Sequence, residues 1–318
     1  MISVIIPNYN KSKFISETIK SVKSQSFLNW ECIIIDDNSN DDSLNIIKNE
    51  INNDNRFHLF KNSENLGASY CRNLGIKKSK GEHIIFLDAD DVLVEFCLEN
   101  RHKELDNNAK VDFLISPMGT FYKEIGDSSS VWNNFKGNHL NKFLAHNLPW
   151  HTMMVMWRKK TLEELGGFQE NFPRCQDVEL HTRALLNKSF KYKLTNGIID
   201  CFFRIDNDRI SDYYQFLLKD IEGKNIYFKY FSNNIEDSKK KFLKGTLYDS
   251  YLITHYSFKM KNINLIEYNL CLKKIEDCFC VKDLDFFERL ILKFLKIFCI
   301  YNLDLRGFHR LLKFFFIR

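Results

Sequence analysis

The chain is predicted to be an α/β protein with a mostly parallel, Rossmann-like central sheet, followed by an all-helical C-terminal region. Three observations predict this. Through the first two-thirds of the 318 residues, short apolar runs alternate with stretches of helical period, the pattern of right-handed βαβ units. Two of those runs, CIIIDD and HIIFLDADD, finish in carboxylates, and in open α/β sheets ligands bind outside the carboxyl ends of strands. Past residue 211 the strand signal stops, and Phe-, Leu- and Lys-rich helical periodicity replaces it. The expected division is residues 1–211 and residues 212–318.

Each element has its own warrant. Residues 2–6 are an apolar run ending in the turn cluster PNYN, after which Phe14, Ile15, Ile19 and Val22 recur at helical spacing. Residues 31–35 repeat the pattern, running into Asp36, Asp37, Asn38 and Ser39 and then a helical stretch at 43–49. Residues 57–60 make a third strand, followed by the loop NSENLG and a helix over 68–78. Residues 83–87 read as a buried parallel strand, being continuously apolar, β-branched and aromatic after a Lys-Gly break. A helix of about 14 residues then leads to a strand at 111–116. Residues 117–149 look irregular, and a loop that long inside a compact domain usually serves function. A strand at 153–157 and a short helix at 161–165 follow, the helix stopped by Gly166 and Gly167 in a C-cap position. Asp177 stands at the start of a helix whose Val178, Leu185 and Leu186 share a face, and residues 198–203 are the last strand.

Composition narrows the class. With 44% hydrophobic residues the chain can bury a substantial core, and 12 Gly and 4 Pro leave little material for a flexible linker. The nine cysteines are scattered and never form C-x-x-C, so neither a disulfide framework nor a zinc site is expected, and a reduced cytoplasmic setting fits. The first residues enter a strand without a basic, then apolar, leader, so no secretory signal is expected. The net charge of +5 is concentrated in residues 288–318, which carry seven basic side chains against two acidic ones. Such asymmetry points to an anionic partner, either a membrane surface or a nucleic acid.

The stretch EHIIFLDADD packs Asp88, Asp90 and Asp91 into four residues. Carboxylates this close raise one another's cost of ionisation unless a cation sits among them, and Mg2+ or Mn2+ suits oxygen ligands. A solvated acidic turn capping the next helix explains those ten residues equally well. Neither G-x-G-x-x-G nor G-x-x-x-x-G-K-[ST] is present, which removes the dinucleotide and P-loop readings. A phospho-acceptor receiver domain also gathers aspartates with Mg2+, as Asp36, Asp37 and Asp88 could, but it leaves Asp177 and the chain length unexplained.

Six motifs in order, VIIPNYN, IIIDDNSNDDS, NSENLGASYCRN, GEHIIFLDADD, LGGF and CQDVELHTR, resemble the inverting GT-A glycosyltransferases of family 2, which use nucleotide-diphosphate sugars. The resemblance covers residues 1–211. It implies that Pro7, Tyr9 and Asp37 hold the nucleotide base, that Asp88 lies near ribose and metal, that Asp90 ligates a divalent metal, and that Asp177 is the catalytic base. In that context Arg72 and Arg204 are candidates for the diphosphate. Two departures stand out. Gln176 precedes the base where the family commonly has Glu, and Arg204-Ile205-Asp206 replaces the family's Arg-x-His. Asp206 is therefore either a substitute oxygen ligand or a turn residue. His151 is read as structural rather than catalytic. A non-catalytic nucleotide-sugar- or glycan-binding protein with a degenerate site is the alternative, favoured by Gln176 and Asp206 and opposed by the retained Asp37, Asp88, Asp90 and Asp177.

The expected activity is transfer of a sugar, with inversion, from a nucleotide-diphosphate donor, UDP foremost, to a hydroxyl of a glycan or lipid-linked saccharide during surface polysaccharide synthesis. In the tail, Phe287, Ile291, Phe294 and Phe298 recur at helical spacing beside Arg289, Lys293 and Lys296. Phe308, Leu311, Leu312 and Phe315 do the same beside Arg306, Arg310 and Lys313. Basic amphipathic helices of this kind predict attachment to the inner face of an anionic membrane. Nucleic acid is not expected, because the aromatic residues are not interleaved with the basic row.

Overall fold

The computed structural model describes residues 1–195, 197–206, 210–279 and 285–300. The first eleven elements are β1 (Ile2–Asn8), α1 (Ile15–Lys23), β2 (Trp30–Asp36), α2 (Ser43–Ile51), β3 (Phe57–Lys61), α3 (Ala68–Lys78), β4 (His83–Phe86), β5 (Val92–Leu93), α4 (Cys97–Asp106), β6 (Phe113–Ile115) and β7 (Met118–Phe121). There follow β8 (Val131–Trp132), α5 (His139–Leu144), β9 (Val155–Arg158), α6 (Lys159–Glu164), α7 (Gln176–Leu186), β10 (Tyr192–Leu194) and β11 (Cys201–Arg204). Four helices close the described chain: α8 (Tyr213–Asn234), α9 (Asp237–Lys259), α10 (Leu265–Cys278) and α11 (Phe286–Ile300).

A seven-stranded sheet runs β10-β6-β9-β4-β1-β2-β3, parallel throughout except where β9 pairs antiparallel with β4 and β6. The mostly parallel α/β architecture with a helical C-terminal region is the one read from the sequence. Its centre is covered on both faces, so Val4, Ile5, Ile6, Cys32, Ile33, Ile34, Ile84 and Ile85 are all fully buried, as their unbroken apolar runs require. Helix α3 approaches β1 closely because residue 75 is glycine; a Cβ there would lie 2.3 Å from Ile5 Cγ2.

Residues 117–149 are not irregular. They contain β7, β8 and α5, and β5, β11, β7 and β8 form a second sheet of four strands. Strands of two to four residues are too short to display alternation, and β5 hides directly behind the acidic run. For the same reason β10 has no separate sequence signal.

Contacts divide the chain into two compact units. The first comprises Met1–Lys136, Pro149–Glu170 and Arg183–Asp206; the second comprises Gly137–Leu148, Asn171–Thr182 and the described residues from 210 onward. The second has its own apolar core around Leu217, Ile221, Leu247, Tyr251, Tyr268, Leu272 and Ile275.

Candidate active site

In the first unit the carboxyl ends of the adjacent strands β2, β1 and β4 bring the predicted nucleotide residues to one edge of the sheet. Tyr9 follows β1 and is 43% exposed, while Pro7 is half-buried. The buried Asp36 braces this corner, accepting from Asn8 Nδ2 at 2.8 Å and Ser39 Oγ at 2.6 Å. Asp37 folds the loop into α3. Its carboxylate accepts from Asn62 Nδ2 at 2.8 Å, the Leu66 amide at 2.9 Å and the Gly67 amide at 2.8 Å, and Gly67 turns the chain with φ 89°.

Asp88 and Asp90 lie beyond the end of β4, each against a cation. Arg72, from α3, meets Asp88 Oδ1 through Nη2 at 2.7 Å, and Lys11 Nζ lies 2.5 Å from Asp90 Oδ2. The Arg72 guanidinium also covers the Phe168 ring, 5.3 Å from its centroid. Asn73, next along α3, brackets the Phe168 backbone, donating to its carbonyl at 2.9 Å and accepting from its amide at 2.8 Å. The motifs CRN and LGGF thus act as one clamp on Asp88. A Cβ on Gly167 would strike Asn73 Oδ1 at 2.5 Å, and φ of 69° there is the C-cap conformation expected.

Arg204 is 4% exposed and holds the turn behind the metal candidate. Its Nε donates to the Asp90 carbonyl and its amide to Asp91 Oδ1, both at 2.9 Å. Nη1 reaches the Tyr122 carbonyl, Nη2 pairs with Glu17, and the guanidinium lies between the rings of Phe14 and Phe121. Each nitrogen of this side chain has a protein acceptor, and through these bonds it positions Asp90 and Asp91. Asp206 follows two residues past β11 and is half-buried. His151 caps a 3-10 turn, Nδ1 accepting from the Met153 amide, with its ring against Trp132 and Phe203.

Asp177 belongs to the second unit, half-buried in the first turn of α7. The residue before that helix is unusual. Cys175 has φ 65°, sparsely populated for a side chain other than Gly or Asn, and its carbonyl starts the helix by accepting from the Glu179 amide. The lead-in is held by α8. Gly223 packs against it so closely that a Cβ would sit 2.7 Å from the Arg174 carbonyl oxygen. Arg174 Nε is 3.4 Å from Asp220, and Asp220 and Asp249 both pair with the buried Lys224, at 2.5 and 2.6 Å. Although burial alone would lower the Lys224 pKa, the two carboxylates drive it above its ordinary value; burial and that ammonium push His146 down to about 4.

Two places invite comparison as metal sites. His83, His102 and Asp106 offer one ligand atom each within 4.8 Å of one another, at the amino end of β4 and the end of α4. There, however, Arg158 Nη1 sits 3.3 Å from His83 Nε2, while its Nε and Nη2 are pinned to the Val111 and Leu105 carbonyls. A fixed guanidinium opposes a second cation. Asp90 presents only oxygen, is 1% exposed, and faces the ammonium of a partly exposed lysine in place of a fixed guanidinium, so it fits a hard divalent ion better.

Residues 3–165 match the family model described as Glycosyl transferase family 2. An uncharacterized glycosyltransferase of Methanocaldococcus jannaschii is 30% identical over 249 residues, 74% of this chain and 83% of that protein. The poly(ribitol-phosphate) beta-N-acetylglucosaminyltransferase TarP of Staphylococcus aureus is 32% identical over 200 residues, 61% of this chain and 59% of TarP. Residues 1–349 of S. aureus TarS share the fold, with TM-score 0.64 and 20% identity over 87% of this chain and 80% of that one, and TarS has also been solved with UDP and with UDP-GlcNAc. The shared fold and the family match together make this α/β architecture a GT-A-type glycosyltransferase fold. The chain belongs to glycosyl transferase family 2.

Proposed function

We propose that the protein is an inverting transferase that moves a sugar from a nucleotide-diphosphate donor, UDP foremost, to a hydroxyl of a glycan or lipid-linked saccharide in surface polysaccharide synthesis. The observation that carries this reading is the convergence of Tyr9, Asp37, Asp88 and Asp90 at the carboxyl ends of three adjacent strands in a family 2 chain. The exposed Tyr9 ring stacks on the base beside Pro7. Asp37 receives the base from a loop that it organises itself, and Asp88, fixed by Arg72, receives the ribose. When bound at Asp90, with Asp206 as a further oxygen donor, Mn2+ or Mg2+ supplies Lewis-acid neutralisation of the leaving diphosphate. Arg72 adds positive charge beside it, and Arg204 keeps Asp90 in place. Asp177 takes the proton of the acceptor hydroxyl, and one base opposite the leaving group gives a single inverting displacement. Residues 1–211 carry these groups, with residues 212–318 as the helical region.

We also infer peripheral attachment to the inner face of an anionic membrane. Helix α11 packs Leu292 into the helical core and ties Glu288 to Lys244 at 2.7 Å. Its Phe286, Phe287, Leu290, Phe294 and Ile297 form a separate exposed row next to Arg289, Lys293 and Lys296. No helix among the described residues is long and apolar enough to cross a membrane. The second basic segment, around Phe308 and Arg310, lies outside the described residues.

A panel of nucleotide sugars with Mn2+ and Mg2+, read as release of nucleoside diphosphate with and without acceptor, tests the activity. The configuration of the product tests inversion. No release from any donor would favour the binding-protein alternative.

A further inference from the structure

Lys11 stands three residues past β1, and its ammonium is 2.5 Å from Asp90 Oδ2. The partners are unlike. Asp90 is 1% exposed, so its charge needs a positive neighbour, whereas the Lys11 side chain is 24% exposed, on a flexible four-carbon stem. The root of that stem is fixed. The Lys11 amide donates to Ser43 Oγ at 2.9 Å, and its neighbours bond Ser39 and Asp41 in the same way. Only the ammonium end has freedom to move, in contrast to Arg158 beside His83, whose guanidinium is held by two backbone carbonyls.

We propose that Lys11 is a placeholder cation: it neutralises Asp90 before the donor arrives, yields the carboxylate to a divalent ion, and then bonds the donor's diphosphate. This rests on the reading of Asp90 as the metal ligand. An ion arriving alone must expel the ammonium and leave two cations close together. An ion arriving with a nucleoside diphosphate brings phosphate oxygens that the ammonium can take up as it leaves. Metal and nucleotide therefore help each other bind, and one side chain carries much of that coupling. The site selects the metal–nucleotide pair over the free ion.

The test measures Mn2+ binding to the full chain by calorimetry, without nucleotide and with UDP, in wild type, Lys11→Met, Lys11→Arg and Asp90→Asn. Lys11→Met should bind free Mn2+ at least about fivefold tighter than wild type, and UDP at saturating Mn2+ at least about fivefold weaker. Lys11→Arg, keeping the charge, should stay near wild type. Removing the lysine takes a positive charge away from a buried carboxylate, so Lys11→Met without metal should unfold at lower temperature and regain the difference in Mn2+. Should the Met variant not fold, Lys11→Gln keeps a hydrogen-bond donor without the charge and is read in the same way. Equal free-Mn2+ affinity in wild type and Lys11→Met, with binding lost in Asp90→Asn, would overturn the lysine's role and leave the metal site standing. Unchanged Mn2+ binding in Asp90→Asn would overturn the metal reading itself.

Discussion

At the scale of single residues, binding and chemistry should separate. On the proposed metal reading, Asp90→Asn is expected to weaken nucleotide-diphosphate binding only when Mn2+ or Mg2+ is present, because the lost carboxylate would act on the nucleotide through the ion. Asp88→Asn should do less, since Arg72 retains its hold on the Phe168 ring and keeps its charge in the site. Calorimetry in EDTA and in Mn2+ distinguishes the two; equal loss of affinity in both media would make Asp90 a structural residue. Asp177→Asn should leave nucleotide affinity nearly intact and lower turnover at least about a hundredfold, the lower end of general-base contributions. Near-normal transfer by that variant would reduce Asp177 to a helix-terminal charge that complements the dipole of α7.

Individual elements matter through close approaches that only small residues permit. Gly223 of α8 lies against the Arg174 backbone, immediately before the strained Cys175 and Asp177. Gly223→Ala must push backbone, not a flexible side-chain tip, so it should destabilise by about 1–3 kcal/mol, the usual scale of overpacking. The same variant should lower turnover more than nucleotide affinity, because the lead-in to α7 moves while the Asp37 and Asp88 groups do not. Urea titration and steady-state kinetics on one preparation check both expectations. Wild-type turnover in a destabilised Gly223→Ala would show that the lead-in can shift without consequence for the base.

For the molecule as a whole, three histidines weigh on stability in acid. Burial is the main cause that lowers His83, His146 and His255 to about 4, against an unfolded value near 6.5. The folded chain therefore binds fewer protons between those values, and stability rises with pH across that window and falls on acidification through it. Each histidine can cost up to about 3 kcal/mol by pH 4. The urea midpoint should drop clearly between pH 7 and pH 5, and a flat profile would mean that these rings protonate in place. The proposed membrane attachment is also tested on the whole chain. The 318-residue chain should sediment with anionic liposomes, and Phe286→Ser, Phe287→Ser and Phe294→Ser combined should abolish sedimentation without lowering stability, since all three rings are exposed. Retained sedimentation in that triple variant would move the contact elsewhere on the chain.

Much of the fold is legible in the sequence. The parallel core could be read because a strand covered on both faces is a continuous apolar run, and the acidic strand ends could be read because they directly follow those runs at residues 36–37 and 88–91. Helix α3 lies where the loop NSENLG before it places a helix near residues 68–78. What depends on distant pairing left no local trace. Lys11 finds Asp90 79 positions away, Asn73 grips Phe168 across 95, and Arg204 closes on Glu17 across 187. Neither the short second sheet nor the grouping of residues 137–148 and 171–182 with the helical region follows from periodicity. Hydrophobic period records only whether a side chain faces inward. Which charge it meets there depends on how the whole chain closes.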